Sequence, residues 1–199
     1  MTEIAPVPAD VALATLLEGA RRFAKGATHA PVVTPERRAE LLESQHPIAT
    51  VLGCVDSRVP PELIFDQGVG DLLTVRTAGQ SLAGVALGSI EFGVRALGVP
   101  LVVVLGHTGC GAVAAALSEF RHDGHLGELT TEVAERLDRH IGDDPITATA
   151  GNLAATVDAL RHLDTLTLPD GSAPTIVGLL YDMATGDVAV HDAGGIEVP

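Results

Sequence analysis

The chain has 199 residues, of which 46% are hydrophobic, and a positive mean hydropathy. These values exclude a disordered protein and are typical of one globular domain, since domains usually run to about 100–200 residues. The formal net charge of -14 argues against nucleic-acid binding, which requires clustered Lys and Arg.

The apolar runs are too short for a membrane span. The longest of them, such as 99–105, lie far below the ~20 residues that cross a bilayer. The N-terminus also lacks a basic segment followed by an apolar core, the pattern of a secretory signal. We therefore expect a cytoplasmic protein that has no membrane partner.

The first 45 residues are predicted to form a helical arm. From Asp10 to Lys25 the apolar residues recur at spacings of three and four, and Asp10 is a suitable N-cap. A second helix is predicted after Thr34, with Pro35 at its first position and helix-forming residues over 36–43. Since no predicted strand lies near the first helix in the sequence, we expect this arm to dock elsewhere, on another subunit.

Apolar strands alternate with helices through residues 46–199. The alternation predicts an α/β fold, a central and mainly parallel sheet flanked by helices, in which functional groups collect at the carboxyl ends of the strands. The arm and this core together are expected to make one domain over 1–199. The predicted strands span 48–53, 72–75, 101–105, 175–181 and 188–191, and the predicted helices span 81–97, 111–120, 129–140 and 146–163.

Both cysteines of the chain follow predicted buried strands. Cys54 ends the first strand, and the third strand is followed by His107 and, three residues later, by Cys110. Thiolate and imidazole are common zinc ligands, and a reducing compartment makes a disulfide less expected than metal binding. Asp56 offers a fourth ligand. A structural zinc site and two inert buried cysteines remain alternatives at this point.

Asp56 and Arg58 lie on the same side of an extended chain, where a carboxylate–guanidinium pair is geometrically natural. Most such pairs are ordinary surface salt bridges. Beside a metal, the pair has a second interpretation. It would restrain a carboxylate that either binds zinc or accepts a hydrogen bond from zinc-bound water.

Taken together, these motifs resemble the β-class carbonic anhydrases. Several motifs in one order are more specific than any one of them. The motifs are Cys-x-Asp-x-Arg from Cys54, Gln45 nine residues before it, Asp66-Gln67-Gly68 with Gly70-Asp71, Val75-Arg76-Thr77-Ala78-Gly79, Gly88-Ser89-Ile90-Glu91-Phe92, Val104-Leu105-Gly106-His107 and Cys110-Gly111.

The resemblance implies a set of site residues. It implies one zinc ion per chain on Cys54, His107 and Cys110, with Asp56 as a conditional fourth ligand in a closed state. It implies a catalytic dyad of Asp56 and Arg58, and a hydrogen bond from Gln45 to the substrate. The residues implied for the substrate pocket are Gly111, Leu73, Ala78 and Phe92.

The implied activity is the reversible hydration of carbon dioxide to bicarbonate and a proton by zinc-bound hydroxide that the dyad orients. The resemblance also implies a homodimer or tetramer with active sites at the subunit interface and the arm packed on the partner. Two alternatives stay open. One is a zinc-binding regulatory or structural protein without hydratase activity, and the other is a hydrolase of carbonyl sulfide or carbon disulfide.

Two departures from the family pattern bear on the site. Phe92 stands where many members have tyrosine, so a hydroxyl contribution is missing there. Val51 stands where the regulated subclass has tryptophan, and the chain contains no tryptophan. We therefore expect the open, water-bound form at alkaline pH, with Asp56 ligation confined to low pH.

Overall fold

The computed structural model describes residues 5–29, 33–119, 122–137 and 145–197. Within these ranges, strands and helices alternate as predicted. The strands are β1 (Ala49–Cys54), β2 (Leu72–Thr77), β3 (Leu101–His107), β4 (Thr175–Tyr181) and β5 (Val188–Asp192). The helices are α1 (Ala9–Ala24), α2 (Pro35–Glu40), α3 (Pro61–Ile64), α4 (Gly84–Glu91), α5 (Gly111–Leu117), α6 (Gly124–Leu137) and α7 (Pro145–Arg161).

The strands form one sheet in the order β2-β1-β3-β4-β5. The first four strands are parallel, and β5 runs antiparallel to β4 across a short turn that Gly186 enters with φ 83°. Parallel strands need helical crossovers, and helices cover both faces of this sheet. The prediction of a mainly parallel α/β fold is confirmed.

The central strands are buried on both faces. Every residue of β1 and β3 is buried, which explains their continuous apolar sequences. One face packs against α1, and the other packs against α4 and α7, where Ile90, Leu153 and Leu160 are fully buried. The carboxyl ends of β1 and β3 consequently meet at one edge of a rigid sheet.

Helix α1 packs on its own chain. Leu13, Leu16 and Leu17 are buried against the sheet, and full burial of each leucine contributes about 1.5–3 kcal/mol. The side chain of Arg22 reaches Asp66, with Nε 2.6 Å from Oδ2. The inference that this helix lacks a surface on its own chain is therefore wrong. Packing of the arm on a partner subunit stays a prediction.

Several predicted helix boundaries shift. Helix α1 begins at Ala9 with Pro8 at the N-cap, so Asp10 lies in the first turn, where its charge complements the helix dipole. Helix α2 ends at Glu40, and α3 has no counterpart among the predicted helices. The predicted helix over 81–97 becomes α4 followed by a π-helical turn, Phe92–Ala96. Helix α6 begins at Gly124, five residues before the predicted start at 129.

Parts of two predicted helices, at 120 and 138–140, fall outside the described residues. Among the helices that the structure does describe, none combines the length and the apolar character needed to cross a membrane.

Candidate metal centre

Three potential metal ligands meet at the carboxyl edge of the sheet. Cys54 ends β1, His107 ends the adjacent strand β3, and Cys110 directly precedes α5. The two Sγ atoms and a ring nitrogen of His107 all lie within 4.8 Å of one another, and all three residues are buried. The structure thus brings together the three predicted zinc ligands.

The hydrogen bonding of His107 leaves one ring nitrogen ready to bind a metal. Its Nδ1 lies 3.0 Å from the carbonyl oxygen of Thr108, so Nδ1 carries the hydrogen and donates it. Nε2 is buried and has no hydrogen-bond partner among the described residues. A buried polar atom left unpaired costs about 1–3 kcal/mol, a cost that metal coordination removes.

The electrostatics of the cluster also suit a cation. The hydrogen bond that the two sulfurs share lowers the pKa of Cys54 and raises that of Cys110. Burial disfavours the protonated imidazole of His107, but the neighbouring Cys54 sulfur outweighs burial and raises the pKa of the ring. A divalent cation would displace these protons, because the thiolate and the neutral imidazole are the binding forms. Two thiolates and one imidazole are a donor set that fits zinc.

Backbone N–H groups lie near both sulfurs. Those of Asp56 and Gly79 act to lower the pKa of Cys54, and those of Ala112 and Val113, at the start of α5, act in the same direction on Cys110. These donors favour the thiolate over the thiol. At Cys110 the hydrogen bond with Cys54 outweighs this effect and the pKa is raised, so two thiolates require a cation that displaces the remaining proton.

Asp56 is held by Arg58 beside the cluster. The guanidinium Nε donates to Oδ1 at 2.9 Å, Nη2 donates to Oδ2 at 2.6 Å, and the Arg58 backbone N–H donates to Oδ1 at 3.0 Å. These hydrogen bonds hold the pKa of Asp56 well below its usual range. The predicted ion pair is present. Its catalytic role, and ligation of the metal by Asp56, stay predictions, since the cluster of ligand atoms comprises only the other three residues.

Arg76 lies in the motif Val75-Arg76-Thr77-Ala78-Gly79, but the sequence predicts no role for its side chain. Arg76 on β2 donates from Nε to the carbonyl oxygen of Cys54 at 2.8 Å and from Nη2 to that of Asp56 at 2.6 Å. It fixes the path of the chain between these residues. The parallel register that pairs Gly53 with Arg76 creates this contact, and the sequence alone does not reveal the register.

The segment that carries His107 and Cys110 is fixed by the turn after β4. Thr108 N–H donates to the carbonyl of Tyr181 at 3.0 Å, and the Thr108 hydroxyl accepts from Met183 N–H at 3.1 Å. Gly109 has φ 67°, a left-handed value that glycine adopts without strain. This turn brings the His107 and Cys110 side chains together.

The residues predicted to contact substrate are only partly brought together. Leu73 and Phe92 line one open, largely apolar cleft of about 840 Å³ between β2 and α4. Ala78 and Gly111 are not among its lining residues. Gln45 is exposed between α2 and β1, and its side chain makes no hydrogen bond within the described part of the chain.

Comparisons with known proteins agree with this geometry. A sequence model of the family described as carbonic anhydrase matches residues 49–188. Carbonic anhydrase 2 of Mycobacterium tuberculosis is 50% identical over 123 residues, which cover 61% of this chain and 59% of that protein. The matched part therefore spans less than two thirds of that relative. A carbonic anhydrase of Mycolicibacterium smegmatis is 40% identical over 185 residues, covering 88% of this chain and 90% of that protein.

Solved structures show the same fold. The β-carbonic anhydrase CafA of Aspergillus fumigatus superposes with a TM-score of 0.71 at 28% identity, covering 94% of this chain and 91% of that one. One of two tetrameric β-carbonic anhydrases of Sordaria macrospora gives 0.66 at 25% identity, covering 79% and 86%. The ligand cluster, the matched family model and these structures lead to one conclusion: the chain belongs to the β class of the carbonic anhydrase family.

Proposed function

We propose that the chain catalyses the reversible hydration of carbon dioxide to bicarbonate and a proton, with one zinc ion held by Cys54, His107 and Cys110. The observation that carries this proposal is the buried cluster of three donors, one of them an unpaired imidazole nitrogen, beside a carboxylate that a guanidinium holds. The relatives named carbonic anhydrases support it.

Zinc, when bound, supplies a Lewis acid that makes water acidic enough to react near neutral pH. Two thiolates neutralise the formal charge of the ion, so this donor set acidifies water less than three neutral histidines would. Residues of the chain must therefore help to orient the reacting water, whose proton leaves to the buffer.

Asp56 performs that orientation. Arg58 keeps it ionised, and an ionised carboxylate only accepts hydrogen bonds. Oδ1 already receives two hydrogen bonds from Arg58, whereas Oδ2 receives one. Oδ2 therefore has a free lone pair that accepts the hydrogen of the reacting water, which turns the lone pair of the water toward the carbon of the substrate.

Gln45 serves the substrate rather than the water. Its amide is exposed and makes no hydrogen bond within the described residues, so its N–H groups are available. We assign Gln45 a hydrogen bond to one oxygen of carbon dioxide. That bond withdraws electrons from the carbon and stabilises the negative charge that develops on the oxygen.

The substrate pocket is completed by a second copy of the chain. The side of the cleft formed by α4 exposes Val85 to 86% and Phe92 to 51%, and an apolar substrate needs an apolar and enclosed pocket. The Sordaria macrospora relative is tetrameric, which supports a homodimer or tetramer with active sites at the interface. Cys54 and Cys110 form no disulfide, which suits a reducing compartment such as the cytoplasm.

The test is stopped-flow carbon dioxide hydration at alkaline pH with protein that is zinc-loaded, chelator-stripped and zinc-restored. The proposal expects one zinc per chain and hydration that disappears with the zinc and returns with it. A chain with one tightly bound zinc and no hydration would instead be a structural or regulatory protein. Faster turnover of carbonyl sulfide or carbon disulfide than of carbon dioxide would show that the chain is a hydrolase of these sulfur compounds.

A further inference from the structure

A buried polar network lies behind the metal centre, between α6 and α7. Its two central side chains are Arg136 on α6, which is 12% exposed, and Asn152 on α7, which is 1% exposed. Arg136 donates to the carboxylate of Glu132 and, at 3.4 Å, to Oδ1 of Asn152. A guanidinium and an amide are thus placed in the interior, where burial of a charge is costly.

The network forms hydrogen bonds to one turn of the backbone, at residues 79 and 80. Asn152 Nδ2 lies 3.0 Å from the carbonyl oxygen of Gly79, and Arg136 Nη2 lies 3.3 Å from the same oxygen. Asn152 Nδ2 also lies 3.2 Å from Oε1 of Gln80. Two side chains from two helices therefore converge on residues 79 and 80.

That turn has an uncommon conformation. Gly79 and Gln80 both have positive φ, 61° and 55°. For glutamine a left-handed conformation costs about 1–3 kcal/mol and persists only where the surroundings hold it. The hydrogen bonds from Asn152 and Arg136 to the Gly79 carbonyl stabilise this conformation.

The same turn lies against the metal centre at three points. The Gly79 N–H lies near the Cys54 sulfur and acts to lower the pKa of that thiol. The Gln80 side chain donates from Nε2 to the carbonyl oxygen of Leu105 at 3.0 Å, two residues before His107 on β3. A Cβ added to Gly79 would lie 3.1 Å from Cβ of Ala112, next to Cys110. The turn therefore lies against all three segments that carry the metal ligands.

The network is not arranged for stability alone. Within the described residues, Arg136 Nε and Glu132 Oε2 are buried and lack hydrogen-bond partners. Arg136 is largely buried and Glu132 is 34% exposed, and replacement of such a pair by apolar side chains of similar volume often leaves stability unchanged or raises it. Its position behind the turn calls for another role.

We infer that Arg136 and Asn152 are positioning residues for the metal centre, which hold the left-handed turn at Gly79 and Gln80 against the three segments that carry the candidate metal ligands. Neither side chain touches the ligand atoms or the substrate. They act through the turn. They fix the Gly79 backbone near the Cys54 sulfur and the Gln80 side chain that donates to the Leu105 carbonyl on the strand leading to His107. Groups that orient metal ligands in this way often change metal affinity by 10–100-fold when they are replaced.

Two variants test this inference in the full-length protein. Asn152→Asp keeps the shape of the side chain and an acceptor for Arg136 but removes the N–H that binds Gly79. Arg136→Lys keeps the charge and most of the volume. Its single ammonium group cannot reproduce the planar guanidinium that donates to Glu132, to the Gly79 carbonyl and to Asn152. The control is Arg161→Lys, because Arg161 forms a bidentate pair with Asp192 and donates to the Ile176 carbonyl on β4, away from the ligand-bearing turn.

The first readout is zinc affinity, measured by competition with a chromophoric chelator. We expect Asn152→Asp and Arg136→Lys to bind zinc about 10–100-fold more weakly than wild type, with the control within about twofold. The second readout is the thiolate-to-metal charge-transfer band of the cobalt-substituted protein. Displacement of the Gly79 N–H away from the Cys54 sulfur raises the energy of the sulfur lone pairs, so this band should move to longer wavelength in the two variants only. Melting temperatures identify effects of general stability.

Unchanged zinc affinity and an unchanged band in a folded variant would overturn the inference, whatever happens to the melting temperature. Failure of both variants to fold would also contradict it, because the network would then be a general requirement of the fold. The inference rests on the zinc site proposed above. A wild-type protein that binds no zinc would refute that proposal, whereas zinc-binding wild type with unaffected variants would refute only the inference.

Discussion

Arg58 donates three hydrogen bonds to the carboxylate of Asp56, at 2.6, 2.9 and 3.0 Å. The carboxylate is 15% exposed, whereas the guanidinium is 62% exposed. An isolated pair of this exposure contributes little to stability. Asp56 lies two residues after Cys54, so the pair can act in the chemistry of the site. The three hydrogen bonds from Arg58 leave a lone pair free on Oδ2 of Asp56.

Replacement of Asp56 by Asn should therefore lower turnover strongly. The amide leaves the shape unchanged but brings an N–H group where an acceptor is required, and positioned proton acceptors contribute about 10²–10⁴-fold to rates. Stopped-flow hydration and metal analysis of the same sample should show lost turnover with zinc retained. Asp192→Asn is the matched control, because Asp192 also pairs with an arginine but lies on β5. Equal rates for Asp56→Asn and wild type would remove Asp56 from the mechanism.

Replacement of His107 by Ala should abolish stoichiometric zinc binding. The imidazole nitrogen is one of three donors in the cluster, and two thiolates alone leave the ion exposed to water and chelators. Zinc content after dialysis against a mild chelator measures the effect. His125→Ala is the control, because that side chain is fully exposed and paired with Glu128. Full zinc retention by His107→Ala would place the metal elsewhere.

The ion pair between Arg161 and Asp192 should stabilise the fold in a pH-dependent way. Hydrogen bonds from Arg161 lower the pKa of Asp192 below its ordinary value of 3.8. A lowered folded-state pKa means that the stabilisation is complete above the unfolded-state pKa and is lost as pH falls through the folded-state pKa. Because both side chains are about one-third exposed, we expect about 1 kcal/mol at neutral pH.

Urea unfolding of wild type and Asp192→Asn from pH 7 downward measures this difference in free energy of unfolding. The two curves should separate at neutral pH and converge below about pH 4. A gap that widens as pH falls would contradict the assigned sign.

Gly19→Ala tests the docking of α1 on its own chain. An added Cβ would lie 1.8 Å from the carbonyl oxygen of Phe65, so α1 and the end of α3 would have to separate. Overpacking outweighs the helix propensity gained, and we expect a loss of about 2 kcal/mol or more in the free energy of unfolding. Glu18→Ala, an exposed neighbour, should change it by less than about 0.5 kcal/mol. Equal stability of the two variants would mean that α1 does not pack there.

The cluster of candidate ligands could be predicted from the sequence because each of its residues follows a recognisable local signal. The apolar runs before Cys54 and His107 predict buried parallel strands, and parallel strands present their carboxyl ends at one edge. Asp56 and Arg58 are so close in the sequence that their contact needs no knowledge of the fold. The site was therefore predictable from residues that lie at or just beyond strand ends.

The supporting contacts could not be predicted, because they depend on long-range packing. Asn152 lies 73 residues from the Gly79 carbonyl that it binds. From the sequence alone, Asn152 cannot be distinguished from a polar residue on the exposed face of a helix. The surface that covers α1 is likewise formed by strands that come later in the chain. The absence of a predicted strand next to α1 in the sequence therefore led to the wrong inference that the helix has no surface on its own chain.

The most direct test of the central claim is exchange of ¹⁸O between labelled carbon dioxide and water at chemical equilibrium, followed by mass spectrometry. This measurement reports the interconversion of carbon dioxide and bicarbonate without requiring net proton release to buffer. The proposed function predicts that protein with one zinc per chain accelerates loss of label and that chelation abolishes the acceleration. Loss of label at the uncatalysed rate, with zinc bound at the cluster of Cys54, His107 and Cys110, would contradict it.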